Sequence, residues 1–147
     1  MPLRVLIADD NPGALQLVRS LVEREGIEVV GEATDGQEAV HLAQAVSPDL
    51  AVLDLAMPRL SGLDAAREII RTCPRTQVIL LTIYAEEYQV AAALRARIRG
   101  YVVKSQGVEE LLQAIREVSR GGTYLSPTLP RDVVELYLPR AGPPSTP

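Results

Sequence analysis

Short apolar runs alternate along this chain with longer stretches in which apolar residues recur every three or four positions. Runs of the first kind read as buried strands, and stretches of the second kind as amphipathic helices. Arg4–Ala8 is the first strand, and it ends in Asp9-Asp10. Asn11 then caps a helix with Pro12 at its first position, Leu17, Val18, Leu21 and Val22 as its apolar stripe, and Gly26 as its stop. Residues 27–33 form a second, more mixed strand, expected nearer an edge. Asp35 and Glu38 look like a capping box opening a helix that turns Ala39, Leu42, Ala43 and Val46 inward until Ser47-Pro48. Leu50–Asp54 is the central strand, delivering one carboxylate before Met57-Pro58. Ser61 and Asp64 cap the next helix, which turns Leu63, Ala66 and Ile70 inward up to Pro74. Residues 77–81 make a fourth strand ending in Thr82, and a helix is expected over residues 86–97. Gly100–Val103 is a fifth strand ending in Lys104. The last long helix covers residues 108–120, with Val108, Leu111, Leu112, Ile115 and Val118 on one face, and Gly121-Gly122 terminates it.

Strands alternating with helices at this spacing predict an α/β fold: a doubly wound, five-stranded parallel sheet in the order 2-1-3-4-5. The character changes after Gly122. Ser126-Pro127 begins a break, residues 132–138 can form two helical turns, and residues 139–147 have linker composition. The expected organisation is one domain over residues 1–126, followed by a linker over residues 127–147 with a short helix in it.

Composition narrows the function classes. The 147 residues are 47% hydrophobic and 23% charged, as in a soluble globular domain. A net charge of −4 argues against nucleic-acid binding through a basic surface of this stretch. Uncharged stretches fall well short of the roughly 18 residues a membrane span needs. The N-terminus leads straight into a strand, so no signal peptide is expected. The single cysteine, Cys73, forbids an intramolecular disulfide and suggests a reducing, cytoplasmic setting. Cys73 reads as an unreactive thiol, and His41, in the second helix, as a solvated surface residue.

The order 2-1-3-4-5 gathers polar residues that are distant in sequence. Asp9, Asp10, Asp54, Thr82 and Lys104 all follow or close strands whose carboxyl ends share one crevice, where open α/β sheets bind ligands. Each has an ordinary explanation alone, as turn former, cap or strand-end charge. Together on one rim they point to a site. Three clustered carboxylates repel unless a cation lies between them, and oxygen ligands of this kind suit Mg²⁺, or Mn²⁺ in its place. A carboxylate beside such an ion can attack phosphorus. Lys104 and Thr82 can take the remaining phosphoryl oxygens.

These residues resemble the receiver domain of bacterial two-component response regulators, which has a flavodoxin-like fold. The likeness covers about residues 3–126. It rests on Asp9-Asp10, on Asp54-Leu-Ala-Met57-Pro58 with Gly62, on Thr82, and on Tyr101-Val-Val-Lys104. It implies that Asp54 is the phosphoacceptor, and that Asp9, Asp10, Asp54 and the backbone carbonyl of Ala56 arrange Mg²⁺. Thr82 and Lys104 would bind the phosphoryl group, and Tyr101 would move inward with Thr82 as the switch. The phosphodonor would be a sensor histidine kinase, and homodimerisation would follow phosphorylation. Gly100-Tyr-Val-Val-Lys104, Glu109-Glu-Leu-Leu112 and Gly121-Gly-Thr-Tyr-Leu125-Ser-Pro127 look like the NarL/FixJ subfamily, which carries a LuxR-type helix-turn-helix DNA-binding domain after a linker. DNA contact would belong to that further domain.

Some positions depart from the pattern. Ile83 is bulkier than the usual residue after the threonine and is expected to crowd the phosphoryl site. Arg97-Ile98 stands where Gly-Ala is common, leaving helix four without its glycine cap. Ala56 and Tyr84 flank the site, where they could tune water access. Val90, Ala93 and Leu94 read either as core or as a dimer face. Alternatives stay open: a stand-alone receiver, an interaction module that never takes phosphate, a flavodoxin-like cofactor binder, or a Mg²⁺-dependent phosphatase with an aspartate nucleophile. The last is disfavoured because enzymes resembling the haloacid dehalogenase group place an acid where this chain has Ala56.

Overall fold

The computed structural model describes residues 2–83, 86–104 and 108–137. Tyr84 and the linker residues from 138 onward, for which the sequence raised expectations, lie outside the described residues. Among the described residues, six strands form one parallel sheet: β1 (Arg4–Ala8), β2 (Glu28–Ala33), β3 (Leu50–Asp54), β4 (Gln77–Thr82), β5 (Gly100–Val103) and β6 (Tyr124–Leu125). Their order is β2-β1-β3-β4-β5-β6. The helices among the described residues are α1 (Pro12–Arg24), α2 (Gly36–Val46), α3 (Gly62–Thr72), α4 (Glu87–Arg95), α5 (Val108–Ser119) and α6 (Arg131–Tyr137).

The sheet therefore has six strands rather than the expected five. The added strand is only two residues long, too short to show a periodicity. Tertiary contact makes it a strand: Gly100 pairs with Tyr124 and Tyr101 with Leu125 along the open edge of β5.

Successive strand residues point to opposite faces, so each apolar strand feeds two cores. Leu6, Ala8, Ala51, Leu53, Val78, Leu80 and Tyr101 pack under α2, α3 and α4. Val5, Ile7, Leu50, Val52, Ile79, Leu81 and Val102 pack under α1 and α5. Burying a side chain of this size stabilises by roughly 1.5–3 kcal/mol, and the continuous apolar runs supply both faces at once. Gly100 is needed where β5 passes β4, because a Cβ there would stand 2.6 Å from Ile79 Cγ1.

The caps follow the sequence closely. Asn11 Oδ1 accepts from Gly13 N at 2.8 Å and Ala14 N at 3.2 Å. Asp35 Oδ1 accepts from Glu38 N at 2.8 Å, while Glu38 reaches back to Thr34 N, one residue beyond the usual capping-box partner. Ser61 Oγ accepts from Asp64 N at 3.2 Å. Helix α4 ends at Arg95, two residues before the expected end. Arg97 takes the left-handed conformation (φ 66°) that a glycine would favour, and Ile98 N then bonds to Ala93 O at 3.1 Å.

The segment after β6 turns back over α4. Leu129 and Val134 are buried in the same core as Val90, Ala93, Leu94 and Tyr101. The start of the expected linker over residues 127–147 thus packs on the domain through Leu129 and Val134, and the apolar face of α4 is core.

Candidate functional site

The register of the sheet builds the site. Ala8 pairs with Leu53, Asp54 with Leu81, and Thr82 with Val103. The strand ends are level, so Asp9, Asp54, Thr82 and Lys104 emerge along one rim. Two backbone bonds secure them: Asp9 N donates to Ala33 O at 3.0 Å and Leu55 N to Leu81 O at 2.8 Å.

Carboxylate oxygens of Asp9, Asp10 and Asp54 all lie within 4.8 Å of one another. Asp9 is 4% and Asp54 7% exposed, whereas Asp10 is open to solvent. The Lys104 ammonium donates to Asp9 Oδ2 at 2.9 Å and lies 3.4 Å from Asp54 Oδ1. Asp9 Oδ1 accepts from Asn11 N at 2.9 Å, which aims the carboxylate across the start of α1. Burial raises the Asp54 carboxyl above its ordinary pKa. Lys104 opposes that shift, and the charges of Asp9 and Asp10 add to it. Burial alone would lower the Lys104 pKa, but its bond to Asp9 and the charges of Asp54 and Asp9 outweigh burial and leave it raised. Each group perturbs the other because all share a half-dry crevice.

A cleft of about 510 Å³ opens between the loop after β3 and the start of α4, lined by Ala56, Met57, Thr82, Glu86 and Tyr88 among others and by none of the three clustered aspartates. Thr82 is buried at its edge. Ile83, next to it, is 60% exposed. Tyr101 is fully buried, and its hydroxyl has no hydrogen-bond partner among the described residues. Burial, with Glu86 and Tyr88 nearby, pushes that phenol up to about 12. His41 is exposed, and the thiol of Cys73 is buried.

The crevice therefore combines oxygen-only ligands, a buried acid and a cation in hydrogen-bond contact. Hard divalent cations prefer such donors. The matching protein family is described as the response regulator receiver domain, and the match covers residues 5–116. The chain belongs to this family. Response regulator GacA of Pseudomonas aeruginosa is 35% identical over 128 residues, covering 86% of this chain and 60% of that protein. Chemotaxis protein CheY of Thermotoga maritima is 32% identical over 120 residues, covering 82% of this chain and the whole of that protein. A LuxR-family two-component response regulator from Aurantimonas sp. SI85-9A1 superposes with a TM-score of 0.85 at 32% identity, over 92% of this chain and 98% of that one. The isolated receiver domain of RcsB from Salmonella enterica serovar Typhimurium, in the presence of phosphomimetic BeF3-, gives 0.78 at 27% identity, over 92% and 99%. The chain spans about 60% of the length of the GacA relatives it matches.

In this receiver the three aspartates form an acidic pocket of the kind receiver domains use for Mg²⁺. The matched relatives include response regulators and transcriptional regulatory proteins. Among the described residues, no helix is long and apolar enough to cross a membrane.

One positioning residue was not legible in the sequence. Ser126 is fully buried. Its hydroxyl accepts from Val103 N at 2.9 Å and donates to Glu110 Oε1 at 2.6 Å, and its own N–H donates to Tyr101 O at 3.0 Å. It ties down the strand that carries Tyr101 and Lys104. Ser-Pro after a helix reads as a break, and only the closeness of β5 makes this serine a strand partner.

Proposed function

We propose that this receiver domain accepts a phosphoryl group on Asp54 from the phosphohistidine of a sensor histidine kinase. The observation that carries the reading is the buried Asp54 carboxylate, facing Asp9 and Asp10 and bridged to Asp9 by Lys104. In the transfer, an Asp54 oxygen bonds to phosphorus as the N–P bond of the donor breaks. The departing imidazole keeps the bonding pair and takes a proton.

Asp9, Asp10, Asp54 and the Ala56 carbonyl would hold Mg²⁺ or Mn²⁺, which when bound supplies the positive charge that lets an anionic donor approach three carboxylates. Lys104 and Thr82 bind the phosphoryl oxygens. Phosphorylation adds charge and acceptor oxygens at the rim, draws Thr82 toward it, and couples through Tyr101 to the surface of α4 and β5. Moving a switch from 1:99 to 99:1 requires about 5.5 kcal/mol of differential stabilisation. A partial shift amplified by homodimerisation asks less of a few charge-assisted bonds.

In the longer protein the output is transcription control from the cytoplasm, through a C-terminal helix-turn-helix domain that contacts DNA. The LuxR-family structure and the GacA relatives support this. A stand-alone receiver is the second reading, favoured by the match to Thermotoga maritima CheY over that protein's whole length.

The test is beryllofluoride titration with Mg²⁺ present, followed by amide chemical shifts and sedimentation. Shifts at Asp54, Thr82, Tyr101 and Lys104 that vanish in Asp54→Asn are expected, with a gain in mass on dimerisation. An Asp54→Asn variant that took up phosphate from a small-molecule donor at the wild-type rate would overturn the assignment.

A further inference from the structure

Between β3 and α3 runs the loop over residues 55–61, which carries Ala56. It is pinned from two sides by glycines that leave no room for a side chain. A Cβ on Gly62 would stand 2.2 Å from the carbonyl oxygen of Asp54 and 2.8 Å from Leu55 Cα. This glycine belongs to the loop's own end, where Gly62 N donates to Leu55 O at 2.8 Å. The second glycine comes from elsewhere. Gly36 is the first residue of α2, and a Cβ on it would stand 1.9 Å from the carbonyl oxygen of Leu60 and 2.7 Å from Leu60 Cβ. The obstacle is backbone, which cannot swing aside as a side-chain tip can.

A second contact joins the same two segments. Arg59 adopts the left-handed conformation (φ 68°), which a residue with a Cβ disfavours. Its Nη1 reaches Asp35 Oδ2 at 3.1 Å. The other oxygen of that carboxylate accepts from Glu38 N at 2.8 Å, as the N-cap of α2. Asp35 is largely buried at this junction while Arg59 is mostly exposed. One carboxylate therefore starts a helix and holds the turn of a neighbouring loop.

We propose that Asp35, Gly36 and Arg59 are positioning residues for the phosphorylation site. The start of α2 acts as a buttress that sets the loop over residues 55–61, and through it the place of the Ala56 carbonyl relative to the aspartates. The inference rests on the reading of Asp9, Asp10, Asp54 and Ala56 as a divalent-cation site. None of the three residues belongs to the carboxylate cluster. They act through the backbone of Arg59 and Leu60, so their effect should appear in cation affinity beyond any loss of stability. A loop held by closely packed backbone has few alternative positions, and a displacement of a few tenths of an ångström is enough to spoil an oxygen ligand for a small ion that demands near-ideal geometry.

The experiment measures the Mg²⁺ dissociation constant of the full 147-residue chain by amide chemical shifts, beside thermal unfolding in EDTA. Gly36→Ala is expected to weaken Mg²⁺ at least tenfold. Arg59→Ala, which removes the contact to Asp35, is expected to weaken it about threefold, and Arg59→Gly, which removes the same contact while relieving the left-handed backbone, to weaken it as well. A merely structural role would lower the unfolding temperature and leave the constants equal. Constants for Gly36→Ala and Arg59→Ala within error of wild type would overturn the proposal. If Gly36→Ala fails to fold, the exposed Arg59 pair carries the test alone. A wild-type chain that does not bind Mg²⁺ would overturn the cation-site reading itself, and the buttress with it. Wild-type binding with unchanged variants would overturn only the buttress.

Discussion

Lys104 is the only cation bridging the carboxylate cluster among the described residues, and replacing it with methionine has two opposed consequences. At an effective dielectric of about 20, two carboxylates at the 4.8 Å limit repel by about 3.5 kcal/mol, so the three pairs, none farther apart, together cost at least on the order of 10 kcal/mol. The ammonium, at 2.9 Å from Asp9 and 3.4 Å from Asp54, returns about 5–6 kcal/mol with each. Attraction and repulsion are thus of similar size. Lys104 is 27% exposed and Asp10 is open to solvent, so screening reduces every term. Lys104→Met is therefore expected to destabilise the metal-free protein by roughly 1–3 kcal/mol, lowering Tm in EDTA by roughly 3–10 °C. The same change leaves the cluster more negative by one charge, so Mg²⁺ should bind at least about tenfold more tightly, equivalent to about 1.4 kcal/mol. Linkage then predicts that saturating Mg²⁺ raises the Tm of the variant more than that of wild type. Thermal scans across a Mg²⁺ series, with calorimetric titration, measure both effects. An unchanged Tm in EDTA, or Mg²⁺ affinity equal to or weaker than wild type, would refute the electrostatic account of the crevice.

Other expectations follow from burial. The Asp54 carboxyl is raised by burial above its ordinary value of 3.8, so as pH rises the unfolded chain releases its proton first. The resulting cost is absent below that value and complete above the folded one. Asp54→Asn removes it, so its Tm should exceed wild type at neutral pH and the difference should close in acid; equal values at pH 7 would contradict this. Leu129 is 2% exposed, and Leu129→Ala should cost about 2–5 kcal/mol in urea unfolding. A stability change within error of zero would mean that residues 127–137 do not pack as described. Tyr101→Phe deletes a buried hydroxyl without a partner among the described residues, so stability should hold or rise by up to about 1 kcal/mol. Ultraviolet titration offers a check: burial pushes Tyr101 and Tyr124 up to about 12, and the variant should lose part of that late phase.

The apolar runs and their caps carried the architecture as far as β5, because the inner strands must bury both faces and each helix start must satisfy its free N–H groups. Asn11, Asp35 and Ser61 announce their helices locally, and the structure uses all three as caps. The rim was legible for a related reason: strand order alone makes residues at strand ends neighbours, and so gathers Asp9, Asp54, Thr82 and Lys104. Other features lay beyond local pattern. Tyr124–Leu125 is a strand only because β5 offers an open edge. Ser126 is a strand clamp only because Val103 and Glu110 meet there. Arg97 caps α4 in a conformation its own side chain disfavours, held by the bond from Ile98 to Ala93. Gly36 looks like any glycine after a capping residue, and its importance lies in a Leu60 carbonyl far along the chain. Periodicity and capping are properties of neighbours in sequence, so the chain alone determined them. Edge pairing, burial of the segment after β6 and the fit of backbone against backbone depend on which surfaces meet, and only the tertiary structure decided those.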